Sequence, residues 1–130
     1  MLLGEDANKI PTRELEYSIR ESLENLRLGQ VFTSFNCSCQ GSLPLEHIVT
    51  TYDFFEQMME QLLDDMTAMM VNLKCSDNGV HMNIQIGCSV DIAQQVLSGV
   101  TPPLGQFTYE LMDEDVVINF MVSAGGAEVC

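Results

Sequence analysis

Residues able to do chemistry are sparse in this chain, and most of them are acidic or carry sulfur. There are five cysteines, an odd number, with no Cys-x-x-Cys among them. Cys37-Ser38-Cys39 lies in a stretch that reads as a strand. Alternation there points both thiols to one face, where they could pair on oxidation, hold a metal, or pack as reduced thiols. The two histidines, His47 and His81, stand near no cluster of metal ligands. Cys75-Ser76-Asp77-Asn78-Gly79-Val80-His81 contains an Asp-x-Gly, which can grip a nucleotide where glycine lets the backbone close in, or can simply be a turn. Asn78-Gly79 sits between alternating segments, the strongest short hairpin signal, so a turn is the reading. Met58, Met59, Met66, Met69 and Met70 could line an adaptable apolar pocket for a small molecule, or fill a core.

These residues belong to a chain of 130 residues, the length of one domain with one core. With 46% apolar residues the composition is that of a folded protein. Nineteen acidic residues stand against five basic ones, for a net charge of -14. Such a surface repels nucleic acid and anionic lipid, because a row of phosphates needs cations that are absent here. Met1-Leu2-Leu3 runs straight into Gly4-Glu5-Asp6, without the apolar stretch of a signal peptide. No apolar run approaches the roughly 20 residues of a membrane helix. A reduced, cytoplasmic segment without membrane contact is the expectation.

The positioning elements follow from periodicity. Residues 1–10 read as a linker or remnant, residues 11–123 as a single domain, and residues 124–130 as a C-terminal tail. Pro11-Thr12-Arg13-Glu14 opens an amphipathic helix with Thr12 as N-cap. Leu15, Ile19, Ser22, Leu23 and Leu26 form its stripe, and Gly29 is its C′ residue. Gln30–Cys37 reads as a strand. A second helix runs from Pro44 to about Met66, with Ser42 and Pro44 at its start and Ile48, Tyr52, Phe55, Met59, Leu62 and Leu63 as its stripe. Ala68–Lys74 and Val80–Ile86 form a hairpin, Ser89–Leu97 a short helix or lid-like segment, and Gln106–Met112 with Val116–Val122 a second hairpin. Helices beside antiparallel hairpins predict an α+β fold: a two-layer sandwich with a mostly antiparallel sheet covered by helices on one face.

This order resembles the ATP-binding catalytic domain of sensor histidine kinases, the fold shared with DNA gyrase. Glu14–Arg27, Tyr52-Asp53-Phe54-Phe55-Glu56-Gln57-Met58-Met59-Glu60 and the run Ala68–Leu73 carry the likeness, which spans Pro11 to Ser123. Together they are similar to a subfamily of bacterial sensor kinases, predominantly from Firmicutes, whose N-terminal part is embedded in the cell membrane. In that family the second helix carries a Glu-x-x-x-Asn motif, and here Glu56 and Glu60 take those positions on one helix face. The resemblance implies Glu56 as catalytic base, Glu60 as Mg²⁺ and cofactor ligand, Asp91 at the adenine, and Mg-ATP as cofactor. Asp77-Asn78-Gly79 falls one strand too early for the adenine-reading motif. The paired glycines after Asp91, the later Gly-x-Gly and a phosphoacceptor histidine in the first helix are missing. The resemblance thus implies a histidine protein kinase in name, with a degenerate nucleotide site and a role in signal relay or partner binding. An active kinase domain with an atypical site and a small-molecule sensor stay open as alternatives. The implied partners are a response regulator and a second copy, docked through helix 11–28.

Overall fold

Residues 68–87, whose second half alternates strictly over 80–86, fold as a hairpin in the computed structural model, which describes residues 9–123. Strands β1 (Lys9–Pro11), β2 (Phe32–Cys39), β3 (Ser42–Pro44), β4 (Ala68–Ser76), β5 (Gly79–Gly87), β6 (Gln106–Leu111) and β7 (Asp115–Ser123) alternate with three helices. These are α1 (Thr12–Leu28), α2 (Leu45–Leu62), which ends in a 3-10 turn at Leu63–Asp65, and α3 (Val90–Ser98). Five strands form one sheet in the order β2-β4-β5-β7-β6. Its neighbours are antiparallel except β2 and β4, whose parallel pairing requires the long crossover that α2 supplies.

One face of the sheet is the core. Met69, Val71, Leu73 and Cys75 of β4, Val80, Met82, Ile84 and Ile86 of β5, and Val116, Ile118, Phe120 and Val122 of β7 are all buried there. The other face is polar and carries a row of amides, Asn36, Asn72, Asn83 and Asn119, in cross-strand register. Asn36 Nδ2 donates to Asn72 Oδ1 at 3.2 Å and Asn83 Nδ2 to Asn119 Oδ1 at 2.9 Å. The α+β sandwich expected from the pattern is therefore present, with helices on one face.

α1 spends its apolar stripe inside the chain: Leu15, Ile19, Leu23 and Leu26 are buried, and the helix packs on β2 and β4. Its ends differ from expectation. Pro11 is the N-cap and Thr12 the first helical residue, whose N–H donates to Gly41 O at 3.0 Å. At the C-terminus Gly29 keeps a negative φ and Gln30 takes the left-handed one, at 74°. Val31 N–H then closes back on Leu26 O at 3.1 Å, the 6→1 bond of a Schellman turn.

Pro44 is the N-cap of α2 rather than part of its first turn, and Ser42 does not cap the helix. With Leu43 they form β3, which pairs with β1, so Lys9 and Ile10 of the expected linker are in a strand. α2 buries Ile48, Thr51, Phe54, Phe55, Met58 and Leu62, whereas Leu63 is exposed. No helix among the described residues is long and apolar enough to cross a membrane. The expected tail, residues 124–130, lies outside the described residues.

Candidate functional site

The helices lie across the sheet in the order α1, α2, α3. α1 packs on β2, α2 on β5 and β7, and α3 on β6 and β7, so α2 has α1 on one flank and α3 on the other. Between α1 and α2 is a cleft of about 530 Å³. Leu26, Val31 and Met59 give it apolar surface, while Glu21, Ser22, Asn25, Glu56 and Glu60 bring polar groups. Ser22 Oγ and Tyr52 OH share a hydrogen bond of 2.8 Å across it. Burial pushes the Tyr52 phenol up, and the Glu56 carboxylate nearby adds to the shift, while the Ser22 bond opposes it. No Lys, Arg or His lines this cleft. Three carboxylates around a partly apolar hollow suit a cationic group and repel a polyphosphate.

Glu56 and Glu60 thus share one cleft. Asp91 does not join them: it is exposed in the first turn of α3, on the far side of α2. A nucleotide held by α2 together with the segment after β5 would occupy the α2–α3 flank, and that flank is filled. Phe54 stacks on Phe120 at 4.6 Å between centroids and meets Phe107 at 5.1 Å. Ala93 and Leu97 of α3 are buried in the same core.

The connection from β5 to α3 consists of Cys88 and Ser89 alone. It is held at each step. Gly87 O accepts from Thr67 N–H at 2.8 Å and from the Thr67 hydroxyl at 3.2 Å. Cys88 N–H donates to Glu114 O at 3.0 Å, and Ser89 N–H donates to the Asp65 carboxylate. A Cβ on Gly87 would lie 2.5 Å from Thr67 Oγ1, so this glycine serves packing against Thr67. A smaller recess of about 350 Å³ beside the connection is lined by Asp65, Asp113 and Glu114 and again contains no basic residue.

The five basic residues stand elsewhere. Arg13, Arg20 and Arg27 recur every seventh residue along α1. Arg20 pairs with Glu16 at 2.8 Å and lies 5.0 Å from the centre of the Phe35 ring, while Arg27 pairs with Glu24. Lys9 is in β1, and Lys74 is on the uncovered sheet face opposite His81.

Asp77-Asn78-Gly79 is the β4–β5 turn, as the hairpin reading expected. The Asp77 carboxylate accepts from Ser42 N–H at 3.0 Å, a tie to β3 that turn chemistry alone does not announce. Asn78 keeps a negative φ; Gly79, at φ +147°, is needed because a Cβ there would meet Val122 O at 2.3 Å. Among the described residues no group of three His, Cys, Asp or Glu is arranged to hold a metal. Met58, Met66 and Met69 are core, Met59 lines the α1–α2 cleft, and Met70 faces away from the core, so the methionines do not surround one pocket.

No family model and no curated protein matches this sequence. Solved structures do. The catalytic domain of histidine kinase ThkA, in a nucleotide-free form, superposes with a TM-score of 0.62 at 8% identity, covering 89% of this chain and 94% of that one. The histidine kinase AdeS of Acinetobacter baumannii gives 0.61 at 6% identity, with 95% of this chain and 73% of the other covered. A structure of ThkA in complex with the response regulator protein TrrA gives 0.56 at 10%, over 89% of this chain and 41% of that one. This chain has the fold of a histidine kinase catalytic domain. At such identities the likeness concerns the fold, and residue roles in this chain rest on its own geometry.

Proposed function

We propose that this kinase-like domain belongs to a two-component sensor histidine kinase and works by binding a partner in signal relay, its nucleotide site being degenerate. The observation that carries this is the separation of the residues a nucleotide would need. Glu56 and Glu60 face α1, whereas Asp91 stands beyond α2 behind a plug of three phenylalanines. Mg-ATP fits this arrangement poorly: neither recess beside α2 or α3 has a cation for the phosphates, and the connection from β5 to α3 is only two residues long. We therefore assign Glu56 and Glu60 to partner recognition rather than to base and metal-ligand roles. Their cleft selects a Lys or Arg beside an apolar side chain, by charge complementarity and burial together. A response regulator is the partner class we infer, by analogy with the ThkA complex. Pairing of two copies through residues 11–28 would have to use the outer face of α1, where Tyr17 and Leu28 are exposed, because its apolar stripe is already buried.

Two measurements test the reading. Calorimetric titration with Mg-ATP into the millimolar range should give no saturable heat, and saturable binding overturns the degenerate site. Binding to a panel of receiver domains from the source organism should detect a partner, and the double reversal Glu56→Lys with Glu60→Lys should weaken it at least tenfold. Binding that ignores the reversal, or no binding to any receiver domain, overturns the assignment of the cleft.

A further inference from the structure

Cys39 and Cys75 are direct cross-strand partners in the parallel β2–β4 pair. Both point to the helix-covered face, Cys75 buried and Cys39 half-buried, so a small solute can reach Cys39. The neighbouring Cys75 thiol eases formation of the Cys39 thiolate, while Cys39 and then burial push the Cys75 thiol up. The corner around them is tied down. Gln40 N–H donates to Cys75 O at 3.1 Å, Thr12 N–H to Gly41 O at 3.0 Å, and Ser42 N–H to the Asp77 carboxylate at 3.0 Å.

Distance selects this pair over its neighbour. Aligned residues on adjacent strands stand about 4.8 Å apart, well inside the window of about 4.4–6.8 Å that a disulfide spans between Cα atoms. Cys37 and Cys39, two apart in one strand, are about 6.6 Å apart, at the edge of that window. Cys37 is also the poorer nucleophile, since burial and then the Glu16 carboxylate push its thiol up to about 11.

We propose that Cys39 and Cys75 form a redox-active dithiol that a hydroperoxide closes to a disulfide. The Cys39 thiolate attacks the peroxide oxygen, the O–O bond breaks, and water or an alcohol leaves, so that Cys39 becomes a sulfenic acid. The Cys75 sulfur then attacks that sulfur, the S–O bond breaks, and water departs with the Cys75 proton. Two thiols lose two electrons in all, and one hydroperoxide is reduced. The bond stitches edge strand β2 to β4 and closes the loop that carries β3 and α2, the helix of the acidic cleft.

The test uses the full chain, reduced and then treated with hydrogen peroxide, with remaining thiols alkylated before peptide mapping. The expected product is a monomer with one peptide linking Cys39 to Cys75. It should persist in Cys37→Ser and vanish in Cys39→Ser and Cys75→Ser. Wild-type mapping needs no variant, so a misfolded mutant does not blunt the result. The oxidised chain should melt on the order of 10 °C above the reduced one, by loop closure in the unfolded state. A Cys37–Cys39 link, intermolecular links alone, oxidation stopping at sulfinic acid, or unreacted thiols would each overturn the proposal.

Discussion

Phe54→Ala probes whether the α2–α3 flank is a sealed core or a latent ligand site. Phe54 is 2% exposed and touches two rings, Phe120 at 4.6 Å and Phe107 at 5.1 Å. Truncating such a ring costs about 3–5 kcal/mol, and the lost ring pairs, each worth roughly 0.5–1.5 kcal/mol, place this site at about 4 kcal/mol. Total stability for a domain of this kind is about 5–15 kcal/mol, so the variant should fold but melt well below the parent. Urea unfolding followed by circular dichroism would show the midpoint falling with the slope unchanged. Phe54→Leu, which keeps much of the apolar volume but loses both ring pairs, should lose about 1–3 kcal/mol, less than the Ala variant. The Ala variant should also remain unable to bind Mg-ATP, because opening the flank supplies no cation. A loss under about 1 kcal/mol would refute the claim that this ring seats α2 and α3 on the sheet, and nucleotide binding by the variant would refute the electrostatic reasoning.

Three further outcomes follow from local geometry. Gly79→Ala should destabilise by roughly 1–3 kcal/mol, since it combines φ +147° with a Cβ 2.3 Å from Val122 O, and a thermal melt would show it. Gln30→Gly should do the opposite, raising stability by about 0.5–1 kcal/mol by placing glycine where φ is 74°, as measured by the shift in urea midpoint. Under reducing conditions stability should fall as pH rises from roughly 8.5, the ordinary thiol value, towards about 11, where Cys37 ionises in the folded chain. Over that window the unfolded state releases its thiol protons first, so the slope is negative, and Cys37→Ser should make it shallower, leaving the part contributed by the Cys75 and Cys88 thiols, which are also held up in the folded chain.

The sheet was legible because β4, β5 and β7 each bury one set of alternating residues, and a period of two survives any tertiary arrangement. α1 was equally plain, as Leu15, Ile19, Leu23 and Leu26 leave one stripe. What escaped depended on contacts distant in sequence. Ser42–Pro44 looks like a helix start because Ser and Pro suit one, yet its backbone finds β1 some 30 residues earlier in the chain. Phe54 and Met58 fell outside the expected stripe because α2 lies between two other helices and buries a wider arc than one stripe. The site suffered most: Glu56 and Glu60 share a face by spacing, but which neighbour that face meets depends on how α2 rolls on the sheet. That roll is set by Phe54 meeting Phe107 and Phe120, two residues more than fifty positions away.

The amide row on the uncovered face acts as a ruler for strand alignment. A slip of one residue between β5 and β7 would turn Asn83 or Asn119 into the core and is excluded by burial alone. A slip of two keeps every side chain on its proper face, so hydrophobic patterning is blind to it. Such a slip would set Asn83 against Val117 or Met121 and break its bond to Asn119, at a cost of about 1 kcal/mol for each amide pair lost. The asparagines therefore discriminate between two alignments that the core would accept equally, on the one face where packing has no say.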